Sequence, residues 1–327
     1  MKSAPRVSIA IPVFNEEENL AELLRRVRAV VDALPGGPHE ILFADDGSSD
    51  RTLEILEAES NGDPRVGAVS LSRNFGHQAA LTAALDHVHG DVVVVMDGDL
   101  QDAPETIPSL LAKYAEGFDV VYAIRVQRKE GLLLRLSYGT FYRLAAAVSS
   151  LRLPLGAGDF GLMSRRVVAE LRRTQERHRY LRGLRTWVGF RQTGIEVERQ
   201  ARSAGSSKYS VRGLFKLAFD GIFAFSVVPI RIAMAVGLVA LVLSSLFGIY
   251  ALYAKLFLDR SPQGFTALIL VVVFMAGVQL LFLGVIGEYI GRIYDEVKGR
   301  PVYIVARRIG AAEESSSSVS DAARVQR

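Results

Sequence analysis

The chain has 327 residues, half of them hydrophobic, with a formal net charge of +4 and no cysteine. That length allows one large or two modest domains, and the lack of cysteine excludes disulfides and thiolate metal sites while fitting a reducing compartment. The apolar share is high for a soluble enzyme and points to a membrane portion. The small positive charge biases the chain weakly towards anionic partners, either lipid head groups or phosphorylated substrates.

The N-terminal MKSAPRVSIAIPVFNEEE has too short an apolar run for a signal peptide and ends in glutamates, so none is expected. Val7 to Val13 predicts a first strand, stopped by Phe14-Asn15-Glu16. Leu20, Leu23, Leu24, Val27 and Val31 then predict one buried face of a helix over 17–34. After the loop Pro35-Gly36-Gly37-Pro38, a second strand from Glu40 to Ala44 runs into Asp45-Asp46-Gly47-Ser48-Ser49-Asp50. There Ser49 or Asp50 can cap a helix from Arg51 to about Ser60. Val66 to Leu71 predicts a third strand and 74–88 a helix. Val92 to Met96 is an unbroken apolar run, as expected of a strand buried on both faces of a parallel sheet, and Asp97-Gly98-Asp99 follows without a spacer. A helix near 105–115, with Pro104 and Pro108 around its first turn, and a strand over 119–124 continue the alternation. This order predicts an α/β fold with a mostly parallel, doubly wound sheet.

From 125 to 210 the pattern is less regular and rich in arginine. Residues 132–151 predict a helix. Leu155 to Met163, with Gly156, Gly158, Asp159 and Gly161, predicts a loop and a short strand. Arg172, Arg173, Arg177, Arg179, Arg182 and Arg185 either solubilise a helix or attract anionic lipid. Residues 211–230 mix Leu214, Phe215, Phe219 and Phe223 with Lys216 and Asp220, and read as an interfacial helix lying on a bilayer. A core helix of the soluble domain is the alternative.

Ile232 to Ala254 and Phe265 to Ile286 carry no charge. At about 1.5 Å per residue each can cross a hydrocarbon core of ~30 Å. Joined by the polar turn 255–264 they predict a transmembrane hairpin with both ends on one side, and two buried core helices are the alternative. Lys208, Arg212, Lys216 and Arg231 precede the hairpin, and Arg292, Lys298, Arg300, Arg307 and Arg308 follow it. The turn holds only Lys255 and Arg260. By the positive-inside rule the large domain and the C-terminus are cytoplasmic. The expected division is a catalytic domain over 1–210, the interfacial helix 211–230, the hairpin 231–290, a cytoplasmic segment 291–309 and a disordered tail over 310–327. Gly284, Gly287 and Gly291 either permit close helix contact or are ordinary membrane glycines.

In a parallel sheet three clusters share the carboxyl edge, where open α/β sheets place ligands. They are Pro12-Val13-Phe14-Asn15-Glu16, Asp45-Asp46-Gly47-Ser48 and Asp97-Gly98-Asp99. The first can simply start a helix, and the second can form a turn and cap. The third is harder to accommodate, because two carboxylates so close repel unless a cation or solvent relieves them. Hard oxygens at that spacing suit Mg²⁺ or Mn²⁺, with an anionic substrate such as a diphosphate completing the shell. His77 either approaches the substrate or, the reading preferred for a helix start, is a surface or capping group, and Asp86, His87 and His89 read as a solvated face.

The segments IPVFNEEENL, DDGSSDRT, LSRNFGHQAALTAAL, VVVMDGDLQDAPE, GAGDFGLM, RGLRTWVGFRQTG, AGSSKY and GEYIGRIYDEVKGRPVYIV span residues 7–305. Through them the chain resembles a family 2 glycosyltransferase of the GT-A type. Within that family it resembles the polyprenyl-phosphate glycosyltransferases, a group that includes bactoprenol glucosyltransferases, dolichol-phosphate mannose synthases and the aminoarabinose transferase of lipid A modification. The resemblance implies that Pro12, Val13, Asn15 and Glu16 line the base and ribose site and that Asp46 contacts the uracil or ribose. It implies that Asp97 and Asp99 hold the divalent ion and the sugar diphosphate, with Gln101 joining the metal shell. Asp159 stands where the family's acidic catalytic residue lies, and Lys208, with Arg125 and Arg202, is placed to meet the acceptor phosphate. Because a phosphate is already an anion near neutral pH, Asp159 is expected to position the acceptor or act as a weak base.

The expected reaction is inverting transfer of a sugar, with UDP-glucose as donor and undecaprenyl or another polyprenyl phosphate as acceptor, at the cytoplasmic face of the inner membrane. GDP-mannose or a modified UDP-sugar is the same-class alternative. A non-catalytic membrane scaffold is opposed by the intact carboxylates and Lys208. A pore-forming polysaccharide synthase is opposed by the two spans and the lack of a QxxRW-type stretch. No nucleic-acid partner is expected, and a homo-oligomer is compatible with the sequence.

Overall fold

The structure, a computed structural model, describes residues 4–125, 157–174, 176–177, 179–197, 228–258 and 264–310. The chain forms two compact units: residues 1–146 with 151–211 and 301–327, and residues 147–150 with 212–300.

The first unit is the expected α/β domain. Its first half runs β1 (Val7–Val13), α1 (Leu20–Ala33), β2 (Glu40–Asp45), α2 (Thr52–Gly62), β3 (Val66–Leu71), α3 (His77–His87), β4 (Val92–Val95), α4 (Ile107–Ala115) and β5 (Val120–Arg125). Then come β6 (Ala157–Ser164), α5 (Arg165–Arg173), α6 (Leu181–Trp187), β7 (Gln192–Val197) and, after the second unit, β8 (Val305–Gly310). Every residue of β1, β2, β3 and β4 is buried, which is why these strands read as unbroken apolar runs. Helix α1 buries Leu20, Leu23, Leu24, Val27, Val30 and Val31 against them, the face its spacing predicts. The N-cap position of α2 is Arg51, which makes no side-chain cap bond, and Asp50 Oδ1 just before it accepts the Thr52 N–H (3.0 Å).

The described strands form an eight-stranded sheet in the order β7-β5-β6-β4-β1-β2-β3-β8. Pairs β1–β2, β1–β4, β2–β3 and β5–β7 are parallel; β4–β6, β5–β6 and β3–β8 are antiparallel. The strand order reverses at β1, flanked by β2 on one side and β4 on the other. Ligands of open α/β sheets bind at such a switch point. Strand β7 ends at the carboxyl edge of the parallel strands and β8 starts there, so the chain leaves the sheet and returns to it along the edge that carries the acidic clusters.

Four sequence expectations change. Residues 157–164 form a full eight-residue strand in the middle of the sheet, where a loop and a short strand are expected. Its glycines reflect crowding: a Cβ at Gly161 would stand 2.6 Å from the Val121 carbonyl oxygen on β5. Strands β7 and β8 are not foreseen, and the expected cytoplasmic segment and the first residue of the tail contain β8. Several arginines of 172–185 hold protein groups, although Arg172 and Arg173 remain exposed. Arg172 donates from Nε to Leu85 O (2.7 Å) and from Nη2 to Val88 O (2.5 Å), closing the end of α3, and Arg179 Nη2 donates to Leu171 O. Arg185 is 5% exposed and donates to Gly158 O (3.2 Å). Nor is the Asp86 face simply solvated, since Tyr303 donates its hydroxyl to Asp86 Oδ2 (2.9 Å) and His89 stands 3.3 Å from Glu40.

The second unit contains two long helices, α7 (Val228–Leu258) and α8 (Phe265–Val297). Both are long and apolar enough to cross a membrane, over Ala233–Tyr250 and Val271–Val297, and none of either stretch is buried. Their exposure removes the reading as core helices of a soluble domain. Among the described residues a Cβ at Gly284, Gly287 or Gly291 would meet nothing within 4 Å, so they form no close-contact stripe there. The helix expected over 132–151, the interfacial helix up to residue 227 and the tail from 311 lie outside the described residues.

Candidate active site

Backbone and side-chain bonds lock the first two acidic clusters together. Asp46 N donates to Val13 O (2.9 Å), Asn15 N to Ser48 Oγ (2.9 Å) and Ser49 N to Asn15 Oδ1 (2.8 Å). Asn15 takes the left-handed conformation (φ 54°), which asparagine tolerates better than most residues. Glu16 serves the start of α1: its carbonyl oxygen accepts from Leu20 N (3.1 Å) and its carboxylate from Asn19 Nδ2 (2.7 Å). Asp46 is 3% exposed and accepts the N–H groups of Phe75 (2.8 Å) and Gly76 (2.9 Å), fixing the loop that leads into α3. Burial pushes its carboxyl above the ordinary value, against the pull of those two donors.

The third cluster lies beside the first. A Cβ at Gly98 would approach Val13 Cγ1 to 2.9 Å, so a side chain between Asp97 and Asp99 would collide with the end of β1. Asp99 Oδ1 accepts the Gln101 N–H (3.2 Å), and the intervening Leu100 holds φ 59° with its side chain in the core. For leucine that conformation carries strain of about 1–3 kcal/mol, held by the surrounding packing. Gln101 is 5% exposed and its Oε1 is buried without a hydrogen-bond partner. The carboxylates of Asp97 and Asp99, with the unpartnered Oε1 of Gln101, fit a hard divalent cation. No cluster of three or more His, Asp or Glu side chains suited to a metal occurs among the described residues. A cation here would therefore depend on further oxygens, as Mg²⁺ does when it uses one or two carboxylates plus substrate phosphates.

Asp159, near the start of β6, is buried at 6% exposure and forms a two-pronged pair with Arg182 on α6: Nε to Oδ1 at 2.7 Å and Nη2 to Oδ2 at 2.8 Å. Burial pushes its carboxyl up, but Arg182 and His77 outweigh burial and hold it well below the usual carboxylate range. His77 Nε2 stands 3.6 Å from Asp97 Oδ1 and 3.7 Å from Asp159 Oδ2, bridging the two acidic centres. Burial works to lower its pKa; Asp159 and Asp97 prevail and raise it.

The structure thus brings Pro12, Val13, Asn15, Glu16, Asp46, Asp97, Asp99, Gln101 and Asp159 to one edge. Arg125 closes β5, with its side chain outside the described residues, as are Arg202 and Lys208. His77, which the sequence reading sets second as a substrate contact, and Arg182, which it leaves in an arginine run, both stand at this edge. The signal for His77 was its place after the third strand, directly following Gly76 at a helix start. Arg182 lay in an arginine-rich run with nothing to single it out.

A mostly parallel sheet with an acidic switch point and an antiparallel central strand is the GT-A type of glycosyltransferase domain. Residues 8–172 match the family model described as glycosyl transferase family 2, and residues 228–293 match the GtrB C-terminal hairpin. The chain is 44% identical over 304 residues to the uncharacterized glycosyltransferase YkcC of Bacillus subtilis (strain 168), covering 93% of this chain and 94% of that protein. It is 40% identical over 303 residues to the SfII prophage-derived bactoprenol glucosyl transferase of Shigella flexneri, covering 92% and 98%. A prophage bactoprenol glucosyl transferase homolog of Escherichia coli (strain K12) is 38% identical over 303 residues, with 92% and 99% covered. The chain belongs to glycosyltransferase family 2, and its second unit is a hairpin domain suited to membrane association.

Proposed function

We propose that this protein transfers a sugar from a nucleotide sugar, UDP-glucose in the first instance, to a polyprenyl phosphate such as undecaprenyl phosphate at the cytoplasmic membrane face. One observation carries the reading: Asp97, Asp99, His77 and the Asp159–Arg182 pair meet at the switch-point edge of a chain that also has two membrane-length helices. Relatives named bactoprenol glucosyl transferase, about 40% identical over nearly the whole chain, support the lipid acceptor and the glucose donor.

In this scheme the ends of β1 and β2, with Pro12, Val13, Asn15, Glu16 and Asp46, receive the nucleoside. Asp97, Asp99 and Gln101 would hold Mg²⁺ or Mn²⁺ beside the diphosphate end. Bound there, the cation would neutralise charge on the leaving diphosphate. Arg125, Arg202 and Lys208 hold the acceptor phosphate. A phosphate oxygen forms a bond to the anomeric carbon from the face opposite the nucleoside diphosphate, whose bond to that carbon breaks, so the configuration inverts. A phosphate monoester is largely ionised at neutral pH, with a second pKa of about 6. The attack therefore needs no strong base, which agrees with a carboxyl held as low as that of Asp159. Asp159 and Arg182 position the acceptor side.

The test is transfer by purified protein in detergent with Mg²⁺, polyprenyl phosphate and a panel of radiolabelled sugar nucleotides. UDP-glucose should label the lipid, and label from GDP-mannose alone would replace the donor. Bound donor without transfer from any of them would make the protein a scaffold. Asp99→Ala should lower transfer about 100-fold or more with the fold retained. Full activity in that variant would remove the cation from Asp99.

A further inference from the structure

His77 is the first residue of α3, and contacts on either side of it fix where its ring stands. Asp46 holds the N–H groups of Phe75 and Gly76 just before it, and Gln78 Oε1, just after it, accepts the Leu181 N–H at the start of α6 (2.9 Å). The imidazole emerges between two acidic centres with 44% of its side chain still exposed, so a ligand can reach it. With 3.6 Å to Asp97 and 3.7 Å to Asp159, the two carboxylate oxygens lie within about 7 Å of each other. Carboxyl pairs in glycoside hydrolases straddle the reacting centre of a sugar over about 5 to 9.5 Å.

On the function proposed above, Asp97 serves the diphosphate end of the donor and Asp159 the acceptor side. The group that passes between those two ends is the sugar itself. We propose that His77 contacts the transferred sugar: its Nε2 hydrogen-bonds a hydroxyl of the hexose and helps decide which sugar the protein accepts. The inference rests on the nucleotide-sugar reading of this edge and adds the recognition element that reading lacks. Asp97 and Asp99 recognise charge common to every nucleotide sugar, and the β1 and β2 ends recognise the nucleoside. A site that hydrogen-bonds a substrate hydroxyl discriminates against analogues that lack it or hold it elsewhere, because its polar group is then left unpaired.

UDP carries every group of the donor except the sugar, so the experiment compares UDP with UDP-glucose. Both are titrated into full-length protein in detergent with Mg²⁺ and read by calorimetry, for wild type, His77→Ala and His77→Gln. UDP affinity should stay within about twofold of wild type in both variants. UDP-glucose affinity should fall about tenfold in His77→Ala, the scale of one net hydrogen bond. It should recover in part in His77→Gln, whose amide still reaches a hydroxyl. Equal losses for UDP and UDP-glucose would assign His77 to the diphosphate and overturn the inference, as would unchanged affinity for both. If His77→Ala does not fold, His77→Gln and His77→Asn carry the same comparison. Binding is read without turnover. The expected pattern in a protein that transfers nothing would keep the sugar contact and remove the proposed reaction. Normal transfer without the pattern would do the reverse.

Discussion

Asp159 and Arg182 show how a buried charge is tolerated at this site. The carboxylate is 5% exposed by side chain and meets the guanidinium at two points, 2.7 and 2.8 Å. Arg182→Ala would strand that carboxylate in the interior, so a loss of about 3 kcal/mol or more is expected in denaturant unfolding. Arg182→Lys should cost less stability but lose the two-point geometry. The pH dependence follows from the depressed carboxyl. A carboxyl whose folded pKa lies below its unfolded value of about 3.9 adds stability at every pH above that value, and loses it as pH falls through the folded pKa. The carboxyl's own part of the difference in thermal stability between wild type and Asp159→Asn should therefore be lost only below about pH 4, while the part that Asp159 adds by holding His77 protonated should fade as pH rises through the raised His77 pKa. Measured in a His77→Ala background, a difference that still changes around neutrality would mean that Asp159 titrates there and can act as a base after all.

The C-terminal strand shows what one added element does for the sheet. Strand β8 pairs antiparallel with β3 and covers the edge that β3 would otherwise present. Tyr303, just ahead of it, ties the returning chain to α3 through Asp86. Tyr303→Phe removes that hydroxyl and should cost about 1 kcal/mol, a small drop in melting temperature with the fold intact. Ending the chain at Pro301 removes β8 as well and should yield protein that associates on size-exclusion chromatography, whereas ending it after Gly310 should not. The sequence announces some of these elements and hides others for physical reasons. Strands β1 to β4 are buried on both faces, so Val92 to Met96 can hardly be read otherwise. Strand β7 is only half-buried, with Gln192, Thr193 and Gly194 leading it, and β8 carries Arg307 and Arg308, so neither shows an apolar run. Strand β6 looks like a loop because Gly161 is demanded by the backbone of β5. The Asp97-Gly98-Asp99 cluster is legible because its two acids are neighbours in sequence. The partnership of His77, Asp97, Asp159 and Arg182 is not, because it joins four separate elements that only the packed sheet brings together.

At the scale of the whole molecule, two domains of different solvent preference share one chain, and their connections constrain how both can work. The sheet releases the chain at the end of β7 and takes it back at the start of β8, both on the edge that bears the acidic site. Two membrane crossings would return the chain to the side from which it left, so the catalytic edge and the C-terminus must share a compartment. On the proposed topology the basic residues favour one: Lys208, Arg212, Lys216 and Arg231 before the hairpin and Arg292, Lys298, Arg300, Arg307 and Arg308 after it, against Lys255 and Arg260 in the turn. Lysine and arginine excess near the ends of spans marks the cytoplasmic side, where nucleotide sugars are made. The chain contains no cysteine, so a single introduced thiol reports its own position without background. In intact cells a membrane-impermeant thiol reagent should label Ser261→Cys in the turn and leave Ser317→Cys in the tail unlabelled until the membrane is opened. Labelling of Ser317→Cys in sealed cells would place the sugar-binding edge outside, away from its donor. Protection of both would mean that the helices lie on the bilayer or dip into it without crossing.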